Sequence, residues 1–256
     1  MGKYSGVLLC SDFDGTLNFN GICEENVRAI RKFQEEGGRF TLCTGRDGEQ
    51  FSARTRLPFP LNAPMIGLTG AELYDTTQKR RVEGNFMESD WLDLLEEMVE
   101  KIPCLQSFEV VGEDFLTTFE CSDRGAFRHL REKAAGASVF KTVGFYLPTG
   151  PELCLPAAEE ICRGKCHVTS NGPGSFELTH TGIHKGYGAL RCKELTGAKF
   201  LICVGDYAGD IDMFRVADLS YAVENAAQEV KNVADRVTIH AKDGAIAKII
   251  EEIALL

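Results

Sequence analysis

The feature that most constrains this chain is a recurrence of short apolar runs, each ending on a polar or glycine residue. Residues 7–10 run into Ser11-Asp12, and 40–43 into Thr44-Gly45-Arg46. Residues 65–68 stop at Thr69-Gly70, 200–204 at Gly205-Asp206, and 219–223 at Glu224-Asn225. Short apolar runs bounded by turn signals read as strands buried on both faces. Helical patterns separate several of them. Over 24–36, Val27, Ile30 and Phe33 share one face, and Gly37-Gly38 supplies the stop. Residues 185–195 and 226–234 also read as helices. Strands alternating with helices imply an α/β fold, a parallel sheet with helices on both faces.

The middle of the chain breaks this rhythm. Trp91, Leu94, Leu95, Met98, Val99 and Ile102 mark an amphipathic helix. Strands are expected at 107–111, 115–120, 139–147, 167–170 and 176–179, with helices at 123–135 and 157–163. This reads as a separate α+β unit at 83–178, inserted into a domain built from 1–82 and 179–256.

The net charge of -10 disfavours general nucleic-acid binding, because an acidic surface repels a phosphate backbone. A protein of this charge that handles phosphate must gather positive charge, or a metal, inside one site. No apolar run approaches the ~20 residues that a bilayer requires, and 7–10 is too brief for a signal peptide. A cytoplasmic protein, monomer or dimer, without a membrane or nucleic-acid partner is therefore expected. The ten cysteines are expected as reduced thiols; Cys154, Cys162, Cys166 and His167 are the one metal-like grouping, without tight C-x₂-C pairs.

Ligands of open parallel sheets bind beyond the carboxyl ends of the strands. Those ends here carry Asp12, Thr44, Thr69 and Asp206. Asp14 follows Asp12 by two residues, so an extended backbone points both carboxylates to one side. Such a pair is repulsive unless a cation lies between, and Gly15 lets the backbone turn its N–H groups toward an anion. Taken singly, these residues also suit plainer roles: Asx turns and helix caps for Asp12, Thr44, Asp206 and Asp210, a solvated helix-start lysine for Lys185, and a structural hydrogen-bonder for Arg46.

Asp12-Phe13-Asp14-Gly15-Thr16 resembles the first motif of the haloacid dehalogenase superfamily. Thr44-Gly45-Arg46, 184–190 from His184-Lys185-Gly186, and 205–213 from Gly205-Asp206 resemble the second, third and fourth motifs of its Cof-type phosphatases, in order. Glu224-Asn225-Ala226, Ala234-Asp235 and Asp243-Gly244 are similar to the family's closing segment. The resemblance covers 5–80 and 175–250. It implies a Rossmann-like core with an inserted cap of the class placed between the second and third motifs. It also implies a Mg²⁺-dependent phosphatase acting on a small phosphorylated metabolite, such as a sugar phosphate, through an aspartyl phosphate. Asp12 would be the nucleophile and Asp14 the general acid and base. Thr44, Gly45 and Lys185 would bind the phosphate. Asp12, the Asp14 backbone carbonyl and Asp206 would hold the metal, with Asp210 in its outer shell.

Three positions depart from the family pattern. Gly209 stands where Asn is usual, Thr69-Gly70 where Asn-Gly is frequent, and Glu224 where Gly precedes Asn225. The first bears on the metal's surroundings and the others on substrate contacts. A phosphotransferase or phosphomutase of the same superfamily, and a catalytically silent sugar-phosphate-binding regulator, are the alternatives. No G-x-G-x-x-G follows the first strand and no P-loop motif occurs, which argues against dinucleotide enzymes and P-loop kinases.

Overall fold

A computed structural model describes residues 2–134, 136–147 and 151–255. It divides into two compact units, one of residues 1–83 with 184–256 and one of 84–183. The first half of unit one contains β1 (Val7–Ser11), α1 (Glu24–Glu35), β2 (Arg39–Leu42), α2 (Gly48–Arg54), β3 (Met65–Gly67), β4 (Glu72–Asp75) and β5 (Arg80–Gly84). Unit two contains α3 (Trp91–Lys101), β6 (Leu105–Gly112), β7 (Leu116–Glu120), α4 (Arg124–Ala134), β8 (Val139–Tyr146), α5 (Pro151–Cys162), β9 (Cys166–Ser170) and β10 (Ser175–His180). The chain then returns to unit one with α6 (Lys185–Thr196), β11 (Phe200–Gly205), α7 (Ile211–Val216), β12 (Leu219–Ala222), α8 (Gln228–Val233), β13 (Arg236–Val237) and α9 (Ala245–Ile253).

The main sheet has the order β13-β12-β11-β1-β2 and is parallel throughout. Its central strands are apolar end to end because both faces are covered: Leu8, Leu9, Cys10, Ile202, Cys203 and Val204 are all fully buried. Helix α1 packs with α9, and α6 with α7, giving the sheet its helical layers. In α1, Glu24 and Glu25 sit in the first turn and Lys32 in the last, as the helix dipole favours, while Ile30 and Phe33 face the core. The chain runs from β1 outward to β2 on one side and through β11 to β13 on the other, so the strand order reverses beside β1. Ligand sites of such sheets lie at this reversal.

Residues 65–67 form a strand as expected, but not a full member of the parallel sheet. An isolated parallel bridge, Cys43 to Ile66, joins β3 to the end of β2, while its main partner is β4 in an antiparallel three-stranded sheet with β5. The cause is a tight reversal after Gly67. Leu68 (φ 48°), Thr69 (φ 60°) and Gly70 (φ 99°) all lie in the left-handed region. Gly70 is required, since a Cβ there would sit 2.1 Å from the His184 carbonyl oxygen. Threonine is a poor occupant of this region, because its β-branched side chain crowds the backbone, whereas asparagine tolerates it. Thr69→Asn is expected to stabilise the protein by about 1 kcal/mol, raising Tm by roughly 2–4 °C. A calorimetric scan checks this; a lower Tm would mean that the contacts of the Thr69 side chain outweigh the strain.

Helix α6 is lined by small residues where it meets the sheet. Gly188 lies so close to β3 that a Cβ would fall 2.4 Å from Ile66 Cγ2. Gly197, in the left-handed conformation, ends the helix. This close packing fixes Lys185 at the helix start.

Unit two is an antiparallel sheet of order β7-β6-β8-β10-β9 with α3, α4 and α5. Its core gathers Trp91, Leu95, Met98, Phe108, Phe119, Phe127, Phe176 and Leu178. Strand β10 runs one residue beyond the expected 176–179 at each end, pairing along its length with β8 and β9. Ala135, the expected last residue of the 123–135 helix, lies outside the described residues. Helix α5 starts before the expected 157, with Pro156 inside it. This earlier start carries Cys154 to within a Cα separation of 6.6 Å from Cys104, and the two form a disulfide. The expectation that all ten cysteines are reduced thiols is thus corrected, and Cys154 is removed from the metal-like grouping. Among the described residues, that grouping forms no cluster able to hold a metal.

Candidate active site

The site is built at the carboxyl edge of β1, β2 and β11. Asp12 directly follows β1 and is anchored by its N–H to the Val204 carbonyl (2.9 Å). Its side chain is almost wholly buried. At the turn after it, Gly15 adopts φ 89°, and a Cβ there would meet Asp206 Oδ2 at 2.4 Å. Only glycine lets this loop pass so close to a carboxylate. Thr16 Oγ1 donates to Asp206 Oδ1 at 2.5 Å, which orients the carboxylate. Asn225 braces the same loop: its Nδ2 donates to the Gly15 carbonyl (2.8 Å) and its Oδ1 accepts from Ala241 N (2.9 Å).

Lys185 is buried, not a solvated helix-start lysine. Its Nζ lies 2.6 Å from Asp12 Oδ1 and 2.6 Å from Asp210 Oδ1. Asp210 is fully buried, and its second oxygen reaches back to the loop that precedes it, accepting from Asp206 N (2.9 Å) and Tyr207 N (3.0 Å). A Cβ on Gly205 would fall 2.4 Å from Asp210 Cγ, so glycine is required there too. Asp12, Asp206 and Asp210 offer oxygens within 4.8 Å of one another. Thr44 is buried at the end of β2, held by its N–H to the Ile66 carbonyl (2.9 Å), and its hydroxyl accepts from Arg46 N (3.3 Å). Gly45 lies between them, partly exposed. Asp14 is the exception. Its carboxylate is not in the acidic cluster but in a two-point pair with Arg46, both bonds 2.8 Å.

Electrostatics follow from this packing. Three carboxylates face one ammonium, so full ionisation leaves negative charge in excess. Burial pushes the Asp12 carboxyl up to about 8, against the pull of Lys185 and with added repulsion from Asp210 and Asp206. Burial likewise raises Asp206 to about 6, opposed by the Thr16 hydrogen bond. Burial lowers Lys185, but Asp12 and Asp210 outweigh it, and its pKa stands well above the ordinary lysine value. Hard oxygen donors in a glycine-walled cradle with surplus negative charge fit a hard divalent cation.

The thiols beneath the site carry no charge to it. Cys43 precedes Thr44, and burial holds its thiol far above the ordinary range, as it does Cys192. They pack as small apolar groups.

Sequence reasoning placed Asp12, Thr44, Lys185, Asp206 and Asp210 among the candidates, and the fold brings all five to this edge. It did not assign Thr16 its hold on Asp206, Asn225 its brace on Gly15, or Arg46 its clamp on Asp14. The partners lie 190, 210 and 32 residues apart in the chain, and each polar residue alone suits many turns. Their membership in the motif segments was the available signal.

A parallel sheet thus carries three carboxylates and a buried lysine at its strand ends. The chain belongs to the haloacid dehalogenase-like hydrolase family, whose pattern matches residues 9–250, and to its Cof-type phosphatases. Over 248 residues it is 25% identical to the 5-amino-6-(5-phospho-D-ribitylamino)uracil phosphatase YcsE of Bacillus subtilis, covering 95% of this chain and 94% of that protein. A shorter match, 42% identical over 73 residues, is to phosphoglycolate phosphatase 2 of Saccharolobus solfataricus; it spans 28% of this chain and only 31% of that protein. Among solved structures, a sugar phosphatase of HAD subclass IIB superposes with a TM-score of 0.76 at 19% identity, over 97% of this chain and 99% of the other. Among the described residues, no helix is long and apolar enough to cross a membrane.

Proposed function

We propose that this chain is a cytoplasmic, magnesium-dependent phosphomonoester hydrolase that acts on a small phosphorylated metabolite through a phosphorylated Asp12. The observation that carries this reading is Asp12, buried and held at 2.6 Å by Lys185 inside a cluster of three carboxylates. Asp12, Asp206 and the Asp14 backbone carbonyl would hold the ion, with Asp210 behind them. When bound, Mg²⁺ supplies positive charge that neutralises the acidic cluster and the phosphate oxygens.

The chain's own groups do the rest. Lys185 and the Thr44–Gly45 turn bind the phosphate oxygens and offset charge as it develops. Asp12 attacks phosphorus, forming an O–P bond as the ester O–P bond breaks. Asp14 gives its proton to the departing alkoxide. In the second half, Asp14 takes a proton from water, the water oxygen bonds phosphorus, and Asp12 leaves as carboxylate. Splitting the transfer this way replaces one difficult step by two easier ones. The second unit, residues 84–183, is read as the cap that sets substrate choice. The named activity of the full-length Bacillus relative, on a phosphoribityl compound, favours a sugar or sugar-alcohol phosphate.

The test is phosphate release from a panel of phosphorylated sugars and from an aryl phosphate, with Mg²⁺ and with a chelator. Release that needs Mg²⁺ supports the proposal. Equal rates in both would remove the metal from it, and a requirement for a bisphosphate primer would favour the mutase.

Gly209 permits a further check. It lies in the short 3₁₀ turn Ala208–Asp210 and is not among the glycines with positive φ, so a side chain adds no left-handed strain. An Asn carbonyl there would hold the ion or its water. Gly209→Asn is expected to tighten Mg²⁺ by up to ~10-fold, about 1.4 kcal/mol. Thermal shift against Mg²⁺ concentration measures it, and an unchanged midpoint would count against this account of the departure.

A further inference from the structure

We propose that Arg46 is a positioning residue: its guanidinium fork sets where the Asp14 carboxylate lies, and so aligns the group that exchanges protons with the leaving alcohol and the attacking water. This role rests on the hydrolase reading above.

The geometry is that of a held clamp. Nε and Nη2 of Arg46 meet the two oxygens of Asp14 at 2.8 Å each. Planar two-point pairing fixes both the position and the plane of a carboxylate. The fork occupies one lone-pair direction on each oxygen and leaves the other outward for a proton. The arginine is itself pinned at its base. Its N–H donates to Thr44 Oγ1 (3.3 Å) and its carbonyl accepts from Leu68 N (3.0 Å). Its guanidinium lies over the Phe13 ring, 5.5 Å from the centroid. That ring is buried and packs edge-on against Phe51, 5.0 Å between centroids. The clamp therefore inherits its position from β2 and from the residue between Asp12 and Asp14.

Fold stability does not explain the pair. The side chains of Arg46 and Asp14 are 50% and 52% exposed, and ion pairs at such sites contribute only about 0–1 kcal/mol. What the clamp changes is orientation. A half-exposed aspartate without it samples several rotamers, and a misplacement on the order of 1 Å can cost ~100-fold in rate. Arg46 thus joins the second motif to the first: Thr44 and Arg46, two residues apart, serve the phosphate and the proton carrier respectively.

The test is a double-mutant cycle between Arg46→Ala and Asp14→Asn, with Arg46→Lys as the conservative variant. Substrates are an alkyl phosphate and p-nitrophenyl phosphate, both with Mg²⁺. Arg46→Ala is expected to lower kcat by roughly 10–100-fold while KM stays within about threefold. The loss should be larger for the alkyl ester, whose leaving group needs the proton. Arg46→Lys should recover part of it, because one ammonium cannot form a fork. In the Asp14→Asn background, Arg46→Ala should cost less than about twofold, read by rapid-quench phosphoenzyme formation where steady-state turnover is too slow. Thermal melts check that each variant is folded. The role is overturned by an Arg46→Ala loss that persists undiminished with Asp14→Asn, which would make Arg46 a substrate ligand. A rise in KM with kcat unchanged, or no effect at all, overturns it equally. A wild-type chain that releases no phosphate from either ester would instead remove the hydrolase reading, and this role with it.

Discussion

Asp12→Asn is expected to abolish turnover, by on the order of 10³-fold or more, without loss of the fold. The amide is nearly isosteric with the carboxylate, so Asn can still accept from Lys185 Nζ at the 2.6 Å position that Asp12 Oδ1 now occupies. What it lacks is the charged oxygen that attacks phosphorus. Substitution also removes one of three carboxylates from a buried cluster whose burial already raises the Asp12 carboxyl to about 8. The metal-free variant should therefore be at least as stable as wild type at pH 8, where ionising Asp12 is most costly. Two measurements check this: phosphate release, and the mass of denatured protein after quenching with substrate. Wild type should carry a phosphoryl group and the variant none. A folded Asp12→Asn protein that turns over near the wild-type rate would end the case for Asp12 as nucleophile.

Lys185→Met should damage both chemistry and stability. Methionine keeps much of the side-chain length and removes the charge. Loss of one aligned cation at a site of developing charge costs ~10²–10³ in kcat. The structural cost arises because Asp12 and Asp210 are left buried without their cation. Breaking a buried pair from one side costs about 3–5 kcal/mol. The sign with pH follows from the raised carboxyls. An acid whose folded pKa exceeds its unfolded value weakens the fold once pH passes the unfolded value, with the full penalty above the folded one. With Asp206 near 6 and Asp12 near 8 even beside the lysine, and higher without it, the Lys185→Met penalty should appear above about pH 6, grow further past pH 8, and fade toward pH 5, where Asp206 and Asp12 hold their protons in both forms. Urea unfolding of metal-free protein at pH 5 and pH 8.5 measures this. A penalty that grows toward pH 5 would contradict the charge account.

The same physics separates what was readable in the chain from what was not. Strand-end residues such as Asp12, Thr44 and Asp206 were legible because burial on both faces forces an apolar run, and the first polar residue after it must lie at the sheet edge. The helix at Lys185 was legible for a similar reason, but the burial of the lysine was not. That depends on Gly188 letting α6 close on β3, and on Asp210, 25 residues away, meeting the ammonium. Strands β4 and β5 were not anticipated, and the main pairing of β3 was not legible because a run of apolar residues does not show whether its neighbour is parallel or antiparallel. The left-handed turn at Leu68, Thr69 and Gly70 decided that. Helix α9 was not anticipated.

By itself, then, the sequence determined the alternation of strands and helices, the inserted α+β region and the identity of the acidic and basic groups at the sheet edge. These follow from local periodicity and from which residues can tolerate water. Tertiary structure alone decided which charges share a partner. Lys185 bridges Asp12 and Asp210, Thr16 turns to Asp206, Arg46 closes on Asp14, and Cys104 meets Cys154. Each of these is a contact between segments far apart in the chain. Its energy depends on burial and on a few tenths of an ångström in placement, and neither exists until the strands have paired.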